Sequence, residues 1–495
     1  MQFILLKSRK KISNQEKNHV KEIFGNNTSI IGDHIDYEWV SDDKKTLFFG
    51  RNPKIEIYNK YSVLDIDRKN NFSFIHGWVK KEDEDFLLNA KNIHNLNNFE
   101  NLDGFFNFSK LNSNGKGEIY SSLHSPSIYY TTNEFSFALS NRILVLSELF
   151  NKNILNKKHI ASHIQYQHLP ITFDTLYEDI YQIPFGSTVK ISEKLTIEKN
   201  YDFFYDEKLN KEFKKDSKKY WDDCFKKVSS QAKAFKNLGI KEFTLGISGG
   251  VDSRLLLSIY RKHVSSLFTW GPSLSPEVIV GRMISEKLNL PHETQYGGAN
   301  ADSRNLINFF SLQLFSTEYE MCPWDSGFLN PNISNEIKVD GQEYVKTPPY
   351  YEDLDFKGVM KIIEKEHSVW KFTIPDNYYK KVLTQNLEQC REYLMYHKEL
   401  FKFAFLKKIL SRGRWASRVH EIIFDHAFNI YPLLTNTMTK YAYNSSFESL
   451  KDQDIVYEMI KRSTPELLDV PLFNNSLKKH YVPPVYNKVP GKINY

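Results

Sequence analysis

The sequence predicts a strand-rich α+β domain over residues 1–195 followed by an α/β domain with a parallel sheet over residues 196–495. Three observations lead there. Early stretches such as Lys54-Ile55-Glu56-Ile57-Tyr58, Gly117-Glu118-Ile119-Tyr120 and Glu134-Phe135-Ser136-Phe137-Ala138-Leu139 alternate apolar and polar residues, the period-two pattern of half-buried strands. A highly charged stretch over residues 201–219 interrupts that pattern and marks the junction. Beyond it, apolar strands and helices alternate in β-α-β-α order, which sets strands side by side in a parallel sheet.

Taken in order, the first domain adds helical patterns near residues 14–24 and 158–167 to its strands, with turn chemistry such as Asn112-Ser113-Asn114-Gly115 between them. After the junction a helix is expected over 220–236, a strand over 242–247, a Gly-rich loop, and a helix beginning near Ser253. A second strand over 264–269 and a second helix over 276–288 follow. Residues 377–428 read as helical, and the tail ends in Pro-punctuated coil. There is no internal repeat.

Composition narrows the class. A chain of 495 residues exceeds one ordinary domain, and 41% hydrophobic residues can fill sizeable cores, which excludes a disordered chain. The 36 Phe and 29 Tyr make those cores aromatic. The net charge of +6 is spread over 66 cationic and 60 anionic residues, a balance that suits anionic small ligands and argues against nucleic acid. Cys224, Cys322 and Cys390 lie far apart, so they imply neither a disulfide framework nor a zinc site, and each reads as a small buried hydrophobe. The apolar start Phe3-Ile4-Leu5-Leu6 runs into charge too soon for a signal peptide. No apolar run approaches the roughly 20 residues that cross a bilayer, so a cytoplasmic location and no membrane partner are expected.

Chemistry concentrates in Gly246-Ile247-Ser248-Gly249-Gly250-Val251-Asp252-Ser253-Arg254, between an apolar strand and an apolar helix. Adjacent glycines bring backbone N–H groups close to a ligand, and the helix N-terminus favours an anion. The hydroxyls of Ser248 and Ser253 can donate to phosphate oxygens. Asp252, unwelcome beside a bare phosphate, makes sense as a magnesium ligand. A capped strand-to-helix turn explains Ser-Gly-Gly alone, but the full string in this context points to a nucleotide. It lacks the Gly-Lys-Ser/Thr ending of a Walker loop.

This string resembles the signature of the PP-loop ATP pyrophosphatases, and the rest of the chain resembles the asparagine synthetase family. Leu102-Asp103-Gly104-Phe105-Phe106, Ser125-Pro126-Ser127-Ile128-Tyr129-Tyr130 and Phe137-Ala138-Leu139-Ser140-Asn141-Arg142 look like its amidotransferase half. Thr175-Leu176-Tyr177-Glu178-Asp179-Ile180 and Ile183-Pro184-Phe185-Gly186 look like the link to the synthetase half. Tyr431-Pro432-Leu433-Leu434, Ile460-Lys461-Arg462 and Pro465-Glu466-Leu467-Leu468 are similar to the C-terminal segment. The likeness spans nearly the whole chain, and only the phosphate loop is specific by itself.

The resemblance implies a glutaminase-like (Ntn-type) sandwich without its catalytic cysteine, then a PP-loop synthetase domain. It implies ATP and Mg2+ as cofactors, with Gly246, Ile247, Ser248, Gly249, Gly250, Val251, Asp252, Ser253, Trp270 and Gly341 around the nucleotide. For the metal it adds Asp340 and Glu343, from the blurred second motif Val339-Asp340-Gly341-Gln342-Glu343-Tyr344, to Asp252; ordinary turn residues explain that pair equally well. Glu318 matches a substrate-handling glutamate, and Lys461 falls where relatives place a lysine that stabilises condensation. Glu277 sits where relatives carry an acid, although a helix N-terminal acid explains it equally. His292 reads first as a satisfied structural histidine. Arg414 and Arg418, one helical turn apart, fit an anion clamp or a solvated face.

The chain departs from the family where glutamine is hydrolysed. Those members expose a mature N-terminal cysteine, whereas this sequence reads Met1-Gln2-Phe3 and its nearest cysteine is Cys224. The Glu and Arg that many relatives carry before the Pro-Phe-Leu segment are also missing before Tyr431-Pro432. The expectation is an AMP-forming amide ligase joining a small-molecule or peptide carboxylate to an amine or ammonia, without glutamine hydrolysis. A homodimer is one assembly the resemblance allows. Natural-product, peptide or polysaccharide tailoring is the setting it suggests. Two rivals stand beside it: a PP-loop tRNA-modifying ligase or sulfurtransferase, and a non-catalytic nucleotide-binding scaffold.

Overall fold

The first strand decides the layering. Along Gln2–Ser8, Phe3 and Leu5 enter one core while Ile4 and Leu6 enter another. Successive side chains point to opposite faces of a strand, so a strand apolar on both faces must be covered on both. The computed structural model describes residues 1–28, 33–54, 56–96, 99, 101–166, 173–199, 205–240, 243–295, 336–339, 377, 381, 384–385, 420 and 427–472.

Gln2–Ser8 lies inside a six-stranded antiparallel sheet, between Ser136–Ser140 and Thr46–Pro53. A second six-stranded antiparallel sheet is centred on Gly117–Ser121 and Leu102–Leu111. Between the two, Phe3, Phe48, Phe72 and Phe74 pack ring against ring at centroid distances of 4.7 to 6.1 Å. The outer face of the first sheet is covered by the helices Asn14–Asn26 and Ile143–Leu149, through Val20, Ile23, Phe24, Val145 and Leu146. Ser13 and Glu16 form a capping box that fixes where the first of these starts. The hairpin at Asn112 closes as expected. Its side-chain oxygen accepts from the backbone of Asn114 and Lys116, each at 3.0 Å, and Gly115 takes the left-handed φ of 66°.

One expected strand is a helix. Residues 54–58 alternate like a strand, yet Pro53 ends the preceding strand and Glu56–Lys60 is helical. The buried positions there are Ile57, Tyr58 and Tyr61, a helical spacing, and both tyrosines meet the Phe428 ring at 5.6 and 6.3 Å. A distant aromatic contact outweighed a short alternating pattern.

From Glu207 onward the charged junction folds into helices. Asp206 caps Glu207–Lys215, and Asp216 caps Ser217–Asn237, so the second helix starts three residues before the expected 220. Lys218, Lys219, Lys226, Lys233 and Lys236 are exposed, while Tyr220, Trp221, Cys224 and Phe235 are buried. The parallel sheet then forms in the order His292–Gln295, Val264–Trp270, Phe243–Gly246, Glu336–Val339 and Ala427–Ile430. The helices Val251–Tyr260 and Pro276–Leu288 make the crossovers between its early strands. The expected helical stretch 377–428 falls largely outside the described residues, and its last two, Ala427 and Phe428, begin a strand instead. They pair in parallel register with Glu336 and Ile337, and Phe428 is buried there. The described residues are thus mixed α/β, with two antiparallel sheets and one small parallel sheet. No helix among the described residues is long and apolar enough to cross a membrane.

The parallel sheet and the second antiparallel sheet share one core. Trp78, Phe105 and Phe106 of the latter lie in the same cluster as Phe235, Leu245, Leu255 and Tyr431. Buried hydrogen bonds run along this boundary. Asp103 accepts from the Thr437 backbone at 2.9 Å and from Gln231 at 3.2 Å, and Gln231 accepts from the Tyr260 hydroxyl at 3.2 Å.

Candidate functional site

Phe243–Gly246 is the central strand of the parallel sheet, and the chain leaves its carboxyl end to enter the helix Val251–Tyr260 after a four-residue loop. Such a carboxyl edge, where a strand feeds a helix N-terminus, is where α/β sheets receive ligands. Gly250 is the N-cap, with φ of −85° and ψ of 174°, so neither a side chain nor a left-handed turn is needed there. A Cβ at Gly250 would meet Ser248 Oγ at 3.5 Å, an ordinary contact. Neither backbone strain nor crowding therefore requires glycine at this position.

The loop's backbone donors are held by small polar groups. Ser248 N–H donates to Ser253 Oγ at 3.0 Å, and the two hydroxyls lie 3.1 Å apart. Gly250 N–H donates to Ser248 Oγ at 3.3 Å. Gly249 N–H donates to the carboxylate of Glu277, which comes from the first turn of the neighbouring helix Pro276–Leu288. Glu277 was open to two readings, and the structure gives it a contact with the loop. Asp252 stands in the first turn of its helix, where the dipole favours a negative charge, with Oδ1 buried.

Behind the loop a second layer fixes its position. The Thr269 hydroxyl donates to the Ile247 carbonyl at 2.8 Å, leaving its oxygen to accept from His292 Nε2 at 2.9 Å. Burial holds the His292 pKa below its ordinary value, with Arg282 adding to the effect, so the neutral ring protonated at Nε2 fits this chain. Gly281 makes room for it, because a Cβ there would stand 2.4 Å from Thr269 Oγ1 and 3.0 Å from His292 Nε2. His292 is accordingly a structural histidine with a positioning role.

The last residue of the motif, Arg254, is fully buried. Its guanidinium donates to the carbonyls of Leu467 and Val470 at 2.8 and 2.7 Å, and also to that of Pro471. It ties residues 467–471 to the helix that starts at the loop. Lys461 lies on the helix Asp454–Ser463, which packs on the same loop helix through Ser463 Oγ and the Ser258 carbonyl at 2.8 Å. The Lys461 ammonium is exposed and stands 5.4 Å over the Tyr457 ring.

Of the other expected site residues, Trp270 closes the strand beside the loop, its side chain outside the described part. Glu318, Asp340, Gly341, Glu343, Arg414 and Arg418 lie outside the described residues, as do Cys322 and Cys390. The strand leading to Asp340 ends at Val339, paired with Leu245 just before the loop. Cys224 is buried, its thiol pKa pushed up by that burial, with Met438 Sδ 3.7 Å away. Among the described residues no group of three or more His, Cys, Asp or Glu side chains is set to hold a metal. A cleft of about 210 Å3 on the sandwich, lined among others by Lys7, Phe135 and Glu193, shares no residue with the loop.

The site fits a phosphorylated ligand through amide donors gathered at a helix N-terminus beside two hydroxyls. It fits Mg2+ through one carboxylate, Asp252, beside hydroxyl oxygens, since that ion takes one or two carboxylates and completes its shell with phosphate and water. Sequence reasoning missed Arg254 and Thr269. A charged residue inside the apolar run Val251-Asp252-Ser253-Arg254-Leu255-Leu256-Leu257 was the available signal for the first. Comparison with known proteins found no matching family model and no matching curated protein.

Proposed function

We propose that the protein is an ATP-dependent carbon–nitrogen ligase that activates a carboxylate as an acyl-adenylate. Its two antiparallel sheets then correspond to a glutaminase-like (Ntn-type) sandwich, and its parallel sheet to a PP-loop synthetase domain. The observation that supports this best is the Ser248–Ser253 loop. Its amides are held by groups a phosphate can replace, at a helix N-terminus and beside Asp252.

In this reading the Gly249 and Gly250 amides and the Ser248 and Ser253 hydroxyls hold phosphate oxygens while the helix end offsets their charge. A carboxylate oxygen of the substrate attacks the α-phosphorus. The bond to the bridging oxygen breaks, and pyrophosphate leaves. The amine nitrogen then attacks the acyl carbon, AMP departs, and the amide nitrogen loses its extra proton. Thr269 and His292 hold the loop in register for the attack. Asp252, with Asp340 or Glu343, would hold Mg2+, which supplies neutralisation of phosphate charge. Buried Cys224, with its raised thiol pKa, argues against sulfur transfer through that residue.

The test is product analysis. Incubation with ATP, magnesium and panels of acids and amines should yield AMP and pyrophosphate together with an amide. ADP and phosphate as the sole nucleotide products would sink the mechanism. In the same assay Asp252→Asn should lower turnover at least about a hundredfold with an unchanged circular dichroism spectrum.

A further inference from the structure

Resting on the nucleotide reading of the loop, the geometry points to Glu277 as an electrostatic gate: its carboxylate holds the anion-binding amide of Gly249 and admits phosphate only when a cation offsets the charge. A glutamate in a first helical turn normally serves its own helix end. Here that need is met without it. Ser275 Oγ caps the helix by accepting from Val278 N–H at 3.4 Å, and Pro276 has no N–H to satisfy. Glu277 instead reaches across to an amide 28 residues earlier in the chain.

The three acceptors on the loop amides are not equivalent. Ser248 and Ser253 are hydroxyls, which accept from the backbone in this state and can rotate to donate to a phosphate oxygen. A carboxylate only accepts. Toward an incoming phosphate it offers no proton, and it repels the charge as long as it stays. Asp252 adds a second negative charge from the first turn of the adjacent helix. Metal-free ATP, with the highest charge, meets both carboxylates. ATP carrying Mg2+ meets them with much of its charge cancelled. Glu277 therefore selects the metal–nucleotide complex over metal-free nucleotide.

Calorimetric titration of the full chain with ATP, once in excess magnesium and once in EDTA, tests this on the wild type, Glu277→Gln and Glu277→Ala. Gln keeps an acceptor for Gly249 and loses the charge, so it isolates the electrostatic part. Both variants should bind metal-free ATP at least about tenfold more tightly, while binding in magnesium changes less than about threefold. Unchanged or weaker metal-free binding in Glu277→Gln, with a wild type that binds ATP in magnesium, overturns the gate and leaves the nucleotide reading standing. A wild type that binds ATP under neither condition overturns the nucleotide reading, and the gate with it.

Discussion

Two polar assemblies meet the helix Val251–Tyr260, one through Tyr260 and the other at the loop before Val251, and they are built differently. At the boundary with the sandwich, buried hydrogen bonds link Tyr260 to Gln231, Gln231 to Asp103, and the Thr437 backbone to Asp103. Asn436 adds a bond to the Leu102 carbonyl at 3.0 Å, and His124 Nε2 lies 2.9 Å from Thr439 Oγ1. At the loop, the amides rest on two hydroxyls and one carboxylate that reaches in from outside. Hydrogen bonding alone does not separate structure from site. What separates them is whether the partner can be exchanged: buried side chains locked by packing cannot be, and hydroxyl rotors beside a glycine N-cap can.

The largest effect should come from a side chain that packing locks in place, the buried Arg254 behind the loop. Arg254→Met keeps most of the volume but strands three buried carbonyls, and should cost about 3–5 kcal/mol in chemical denaturation. A loss below about 1 kcal/mol would mean that residues 467–471 are anchored by something else.

A smaller effect follows from His124. Burial pushes its pKa down to about 3, against about 6.5 in an unfolded chain. As pH falls below 6.5 the unfolded chain takes up a proton that the folded one refuses. The stability contributed by the neutral ring is thus complete above about 6.5 and is lost at about 1.4 kcal/mol per pH unit down toward 3. His124→Asn should make the pH dependence of unfolding free energy shallower by that amount. Equal slopes in the two proteins would show that the ring is protonated, or exposed, in the fold.

The smallest effect on stability belongs to the exchangeable side. Gly250→Ala places a methyl at 3.5 Å from Ser248 Oγ in a backbone region open to alanine, so folding should change by less than about 1 kcal/mol. On the proposed nucleotide reading, ATP affinity in magnesium should nonetheless fall about tenfold, because the methyl would stand beside the amides proposed to hold phosphate. A variant that loses stability and keeps its affinity would invert the comparison.

Much of the parallel sheet was legible in the sequence, because its early strands and helices carry unambiguous apolar runs. The expected strand 264–269 and helix 276–288 are observed as Val264–Trp270 and Pro276–Leu288. The failures share a cause. Residues 54–58 and 427–428 were decided by each other, through Tyr58 against Phe428, at a separation that no local pattern reports. Within the site, Ser248, Gly249, Gly250 and Ser253 could be read because the string is contiguous. The Glu277 contact, the Thr269–His292 pair and the Arg254 anchor could not, since each joins residues more than 20 positions apart.

The shared aromatic core bears on how the chain comes apart. Trp78 packs on Phe235 at 5.3 Å and Phe105 on Tyr431 at 5.1 Å, both across the line between the antiparallel and parallel sheets. A fragment cut near residue 195 would carry Phe235, Phe428 and Tyr431 into water, a sticky surface that invites self-association. Whatever chemistry the sandwich performs, it works as the lid of the other half's hydrophobic interior. Heat should therefore melt the two together in a single cooperative transition, because neither keeps a complete interior without the other.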